Sequence, residues 1–275
     1  MNMFARIAAW RRQRILERYA FPDVAWEAVL AAYPFFARLD HGERLRLREI
    51  VALFCSEKEF TGAAGFEVTL TTQLAIAAQA CLPVLNLDLS FYAGWHGVVI
   101  YAGEVVARRE VTDDDGVVHQ YDEVISGEAM AGGPVVFSWE DVTLAGSHEA
   151  PAYNVVIHEF AHKIDMLKGE ATGVPPFVAP FHQGVDGRAF ERVMGQAYSA
   201  FVAQVERWEA GGCAEQDMPL LDPYAAEHPA EFFAVLSEAF FTCPLDVVNA
   251  FPELYRLLAA YYLQDPLRGA AVSKA

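Results

Sequence analysis

The sequence predicts an α+β fold, and three observations carry that prediction. Apolar side chains recur at helical spacing in ERLRLREIVALFC (43–55), where Leu47, Ile50, Val51 and Phe54 share a face. The period then drops to two in VLNLDLSF (84–91) and in part of GVVIYAGEVV (97–106). Helical patterning returns from about residue 151, in a segment that carries two histidines among oily neighbours.

Taken in order, residues 4–18 form a first helix and 24–33 (VAWEAVLAAY) a second, stopped near Pro34. The third covers 43–55. Residues 68–82 (VTLTTQLAIAAQACL) are apolar nearly all round, which marks a buried helix ended by Pro83. The segments 84–91 and 97–106 read as strands. In 109–125 (REVTDDDGVVHQYDEVI), Asp115-Gly116 lies between two β-rich runs, the signature of a hairpin. GGPVVFSW (132–139) is a further strand that opens after two glycines. Four to six strands result, and their short connections predict a mostly antiparallel sheet. A helix follows at about 152–168 with Gly169 as its C-cap. Residues 170–187, rich in Pro and Gly, form a long loop that reads as a connector and is compatible with a lid. The last helices are 188–210, closed by Gly211-Gly212, then 229–242 and 252–263. With no repeat or linker between them, the expected organisation is one compact unit over 1–275. Its helical region covers about 1–82, its sheet about 84–139 and its metal-site helices about 151–242.

Composition narrows the function. With 54% apolar and 21% charged residues the chain is globular. The net charge of −17 is uneven: residues 1–20 carry five Arg against one Glu, leaving about −21 on the rest. Such a body repels phosphate, which argues against direct nucleic-acid binding. The basic, amphipathic N-terminal helix has two readings, docking on the acidic body, which is favoured, or contact with anionic lipid. No stretch reaches the length of a membrane span, and FARIAAWRRQRILERYAF has no uninterrupted apolar core of a secretory signal. Cys55, Cys81, Cys213 and Cys243 form no C-x-x-C pair and read as reduced and mostly buried, so the expected location is the cytoplasm.

The strongest functional signal is HEFAH, with His158, Glu159 and His162 in an H-E-x-x-H pattern. On a helix, positions i and i+4 share a face, so both imidazoles reach one ion. The adjacent carboxylate of Glu159 can then act as a general base on a bound water. Without such a purpose, two histidines and a glutamate on an oily helix are costly.

A catalytic zinc usually takes three protein ligands and keeps a position for water. The chain reads KIDMLKGEATG after His162, so no third histidine follows at metzincin spacing. Carboxylates elsewhere are the candidates, and DPYAAEHPAEFFAVLSEAFF (222–241) stands out. Pro229 opens a helix with Glu231, Val235 and Glu238 along one face. Spacing leaves Glu231 open between a metal ligand and a helix-start glutamate favoured by the macrodipole.

HEFAH paired with Tyr224 and Glu231 in Y-x6-E-F-F-A resembles the glutamate-ligand zinc peptidases of the anthrax lethal factor type. Over essentially the whole chain, the sequence is similar to the Mlc titration factor A family of bacterial cytosolic zinc peptidases. GPVVFSW (133–139), HEFAHKID (158–165), DPYAA (222–226) and PAEFFAVLSEAFF (229–241) carry that resemblance. It implies one Zn2+ per chain held by His158, His162 and Glu231, with Glu159 as base and Tyr224 facing substrate. It further implies aminopeptidase-like activity on peptides, and binding of a glucose-responsive transcriptional repressor as a second role. Two departures matter. Sixty-eight residues lie between His162 and Glu231, so the thermolysin fold does not transfer. Val235 occupies the position where those enzymes place a histidine-orienting carboxylate, which leaves Glu238 and Asp165 as the alternatives.

The expected reaction is amide hydrolysis, with Glu159 moving the proton and Tyr224 donating to the oxyanion. The strand 134–139 is expected to offer an edge for an extended peptide. His96, His119, His148, His182 and His228 read as loop residues. The competing reading is an acidic regulator that sequesters a protein partner.

Overall fold

The computed structural model describes residues 3–112, 118–147, 150–214 and 218–268. The N-terminal part runs α1 (Met3–Arg18), α2 (Asp23–Ala32), α3 (His41–Glu57), β1 (Glu59–Gly62) and α4 (Leu70–Cys81). The middle holds β2 (Gly97–Tyr101), β3 (Val105–Thr112), β4 (Val118–Ile125), β5 (Gly127–Ala129), β6 (Val135–Ser138) and α5 (Trp139–Leu144). The rest is helical: α6 (Val155–Asp165), α7 (Gly187–Ala210), α8 (Pro229–Thr242), α9 (Pro244–Ala250) and α10 (Pro252–Tyr262). The α+β class holds, and no described helix is long and apolar enough to cross a membrane.

Local chemistry sets several of the helix starts. Asp40 and Glu43 form a capping box at α3, and Thr69 accepts from Thr72 N–H at α4. Pro229 sits in the first turn of α8, where its missing N–H costs nothing.

The sheet differs from expectation. It is mixed, in the order β1-β2-β6-β5, with β1–β2 and β2–β6 parallel and only β5–β6 antiparallel. The four residues of β1 are too few to show alternation, so the crossover through α4 that makes β1 and β2 parallel left no trace in the pattern. The hairpin forms a separate antiparallel pair, β3 with β4, between β2 and β5; its expected Asp115-Gly116 turn lies outside the described residues. The 97–106 run is broken after Tyr101, so β2 and β3 are two strands.

Residues 84–91 are not a strand. Turn bonds from Leu85 N–H to Leu82 and from Leu87 N–H to Val84 lead into a 3-10 segment, Leu89–Tyr92, capped by Asp88. Leu85 and Leu87 are buried and Asp88 is exposed, so a string of turns produced the same alternation as a strand. The short helices α5 and α9 also escaped sequence reading.

One hydrophobic cluster extends from Phe21 to Tyr262. Phe160 lies at its centre, with ring centroids 4.8 Å from Tyr92, 5.6 Å from Phe54, 5.7 Å from Trp95 and 6.3 Å from Phe137. These contacts seat α6 against the sheet and against α3, and so fix the helix that carries HEFAH.

Candidate metal centre

Helix α6 begins at Asn154, whose side chain accepts from Ile157 N–H at 2.9 Å and donates to Gln79 of α4 at 2.9 Å. The helix places His158 and His162 one turn apart, facing Glu231 in the first turn of α8. Three atoms converge there. His158 Nε2 lies 3.0 Å from Glu231 Oε2, His162 Nε2 lies 3.2 Å from the same oxygen, and the two Nε2 atoms are 3.1 Å apart.

That triangle fits a cation. Bonds of about 2.0–2.1 Å to a tetrahedral zinc place neighbouring ligand atoms about 3.3 Å apart. Two imidazole nitrogens and a carboxylate form the mixed N/O donor set such an ion takes. Sequence spacing left Glu231 undecided; the fold brings it to the histidines.

Glu238, one of the two alternatives for the orienting carboxylate, reaches this group from the next turns of α8. One of its oxygens accepts from Asn154 N–H at 2.5 Å and the other lies 2.7 Å from His158 Nδ1. A carboxylate there requires Nδ1–H as donor, which leaves the Nε2 lone pair directed at the cluster. Asp165 is placed differently. Its Oδ2 accepts from the backbone N–H groups of Thr172 and Gly173, at 2.8 and 2.6 Å, and so ties down the 170–187 loop. Gly173 has φ +80°, and a Cβ there would lie 2.3 Å from Pro229 O, so the loop passes directly over the start of α8.

Glu159 is buried beside the edge strand β5. The Ala129 backbone hydrogen-bonds its carboxylate, and a Cβ on Gly127 would come within 2.9 Å of Glu159 Oε1. Only a residue without a side chain permits that approach. One turn further along α6, Lys163 donates to Met130 O at 2.6 Å and Gly133 O at 2.8 Å. Helix and edge strand are thus fastened at two points four residues apart.

The charges are coupled. Burial lowers the His158 pKa, but its hydrogen bonds to the Glu231 and Glu238 carboxylates outweigh burial and hold it well above its usual value. Burial alone would raise Glu231, yet the two histidines pull it far below the carboxylate range. Burial raises both Glu159 and Glu238. For Glu159 this is the direction that turns a carboxylate into a useful base.

Tyr224 stands at the rim in a 3-10 turn, Pro223–Ala226, opened by the Asp222 side chain. It is 47% exposed, with its ring centroid 6.3 Å from that of His158. The strand 134–139 offers no edge, because β6 lies between β2 and β5; among the described residues the edge strands are β1 and β5, and β5 is the one beside Glu159. Of the other histidines, His182 is buried rather than in a solvated loop, held by Val178 N–H and the Tyr261 carbonyl. His228 caps α8 through Nδ1, and His148 lies outside the described residues. A groove of about 900 Å3 between α1, α3 and residues 85–96 contains none of the cluster.

Comparison with known proteins places the chain in a family. A family model described as glucose-regulated metallo-peptidase M90 matches residues 7–263. The chain belongs to the M90 metallo-peptidase family. Among its relatives, Mlc titration factor A of Klebsiella pneumoniae (strain 342) is 36% identical over 247 residues, covering 90% of this chain and 88% of the relative. Mlc titration factor A of Salmonella typhimurium (strain LT2) is 32% identical over 266 residues, 97% of this chain and 94% of the relative. Mlc titration factor A of Cronobacter sakazakii is 34% identical over 249 residues, 90% and 89%. The family and the His158–His162–Glu231 group together make this chain metallopeptidase-like, with a site suited to a metal ion.

Proposed function

We propose that the chain is a zinc-dependent peptidase, aminopeptidase-like, working as one unit in the cytoplasm with one ion per chain. The observation that carries this reading is the approach of His158 Nε2, His162 Nε2 and Glu231 Oε2 to 3.0–3.2 Å, with the Glu159 carboxylate on the same helix. When bound, zinc would polarise the scissile carbonyl and acidify a water. Glu159 takes the proton from the attacking water and returns it to the leaving amine. Tyr224, at the rim, donates a hydrogen bond from its phenol to the developing oxyanion, an effect of about 3 kcal/mol for comparable donors. An extended peptide adds alongside β5, whose outer edge is free of sheet partners among the described residues.

The test compares wild type with Glu159→Gln on amino-acid anilides and short peptides, with zinc content measured in both. Activity lost with zinc retained is expected. Full activity in the variant would sink the assignment of Glu159. A second reading rests on the relatives' name, Mlc titration factor A: the acidic surface also binds a transcriptional repressor. Glu159→Gln should leave that binding intact, and loss of both activities together would show that they share one site.

A further inference from the structure

Helix α1 leaves an apolar stripe uncovered. Met3, Ile7 and Trp10 follow i, i+4, i+7 spacing and are 68%, 41% and 61% exposed. The other side of the helix does the docking. Arg12 pairs with Glu49 of α3 at 2.6 Å, and Leu16 packs against the core. At about 100° per residue, Arg12 and the stripe lie roughly half a turn apart, so the stripe faces away from the body.

Arginines surround this face. Arg6 flanks one side, Arg11 and Arg18 the other, and all are exposed. Arg14 lies within the face, its guanidinium 5.7 Å from the Trp10 ring centroid. Among the described residues, Arg12–Glu49 is the one ion pair made by α1. The acid on this helix, Glu17, already accepts from Gln13 at 3.2 Å. A helix of net charge +4 is therefore held on a body of about −21 with its oily face outward.

We propose that this face of α1 docks on an anionic phospholipid surface. Met3, Ile7 and Trp10 enter the boundary between headgroups and acyl chains, while Arg6, Arg11, Arg14 and Arg18 meet phosphates. A protein partner fits less well. Tryptophan, methionine and arginine also occur at protein interfaces, but donors dominate this face, with four guanidiniums around apolar carbon and Glu17 the one acidic side chain on the helix. Guanidinium forks match phosphate oxygens, and tryptophan favours the lipid–water boundary. The acidic body opposes close approach, so the attachment is reversible and salt-sensitive.

The test is sedimentation of the full chain with vesicles of phosphatidylcholine alone or with one-third phosphatidylglycerol. Binding to the anionic vesicles at low salt is expected, with little binding to the neutral ones and loss in 0.5 M salt. Each Arg→Gln at 6, 11, 14 or 18 should weaken it about fivefold. Ile7→Asp with Trp10→Asp should abolish it; these side chains are exposed, so thermal unfolding should stay unchanged. Three results would overturn the proposal: no binding to anionic vesicles, binding that survives the double aspartate variant, or lipid-independent dimerisation that this variant removes. The last would assign the face to a second copy of the chain.

Discussion

Glu238 does two jobs with one carboxylate, and each is measurable. It fixes the His158 tautomer with one oxygen and satisfies the Asn154 N–H with the other. Glu238→Gln should lower zinc affinity 10–100-fold, as for other groups that orient a ligand histidine, while His158, His162 and Glu231 stay in place. Competition with a chromophoric chelator measures this. Gly127 is the second residue with a sharp expectation. A methyl group there would lie 2.7 Å from Val155 Cγ2 and 2.9 Å from Glu159 Cγ, so Gly127→Ala must displace Glu159 or the strand. A shift of about 1 Å costs on the order of 100-fold in rate. Steady-state kinetics should show the fall with zinc content unchanged. The sequence made HEFAH legible because one helix encodes its spacing. Gly127 was not legible, since a lone glycine at the start of a short strand gives no sign of what approaches it.

The element that needs fastening is β5, three residues long and at the edge of the sheet. Lys163 holds the turn after it by two carbonyls, with its ammonium 4.6 Å from the Trp95 ring centroid. Lys58 lies 3.9 Å from the same ring and donates to Tyr92 O and Trp95 O. Burial pulls both lysines down to about 8 from an ordinary 10.5. An unfolded chain binds these protons up to the higher value, so the two lysines contribute a stability that rises with pH between about 8 and 10.5, opposed above about 9 by Cys55, Cys81 and Cys243, whose thiols burial pushes up. Lys163→Met keeps the length of the side chain but loses its donors. It should raise KM for peptides and flatten the rise that the lysines give Tm over that pH window, as thermal unfolding at several pH values would show. Sequence periodicity found the long helices within a few residues but read 84–91 as a strand. Turns stabilised by Asp88 can bury alternate residues as a strand does, and only the hydrogen bonds separate the two.

Across the whole molecule, the candidate ligands connect helices that are far apart in sequence. His158 and His162 belong to α6 and Glu231 to α8, so an ion between them joins the two. Zinc at about 100 times its Kd should then raise stability by about 2.7 kcal/mol, seen as a higher Tm that a chelator reverses. Glu231→Ala should remove most of that increment. The fold class was legible because helical and strand periods occupy separate stretches of the chain. The sheet order was not, because β1 reaches its parallel partner β2 across α4, and β2 reaches its parallel partner β6 across the hairpin and β5. Glu231 stood between the two cases: its segment was conspicuous, but only the packing of α8 on α6 decides what the carboxylate meets.

The bridge from Glu238 to both Asn154 and His158 also has a kinetic meaning. The carboxylate that accepts from Asn154 N–H at the start of α6 also orients the imidazole, so the receptor for the ion is assembled when α8 packs on α6. Loading then requires encounter and loss of a proton but no refolding. Replacing the ion by a different divalent one should then leave the rest of the chain native, so metal exchange would offer a spectroscopic label.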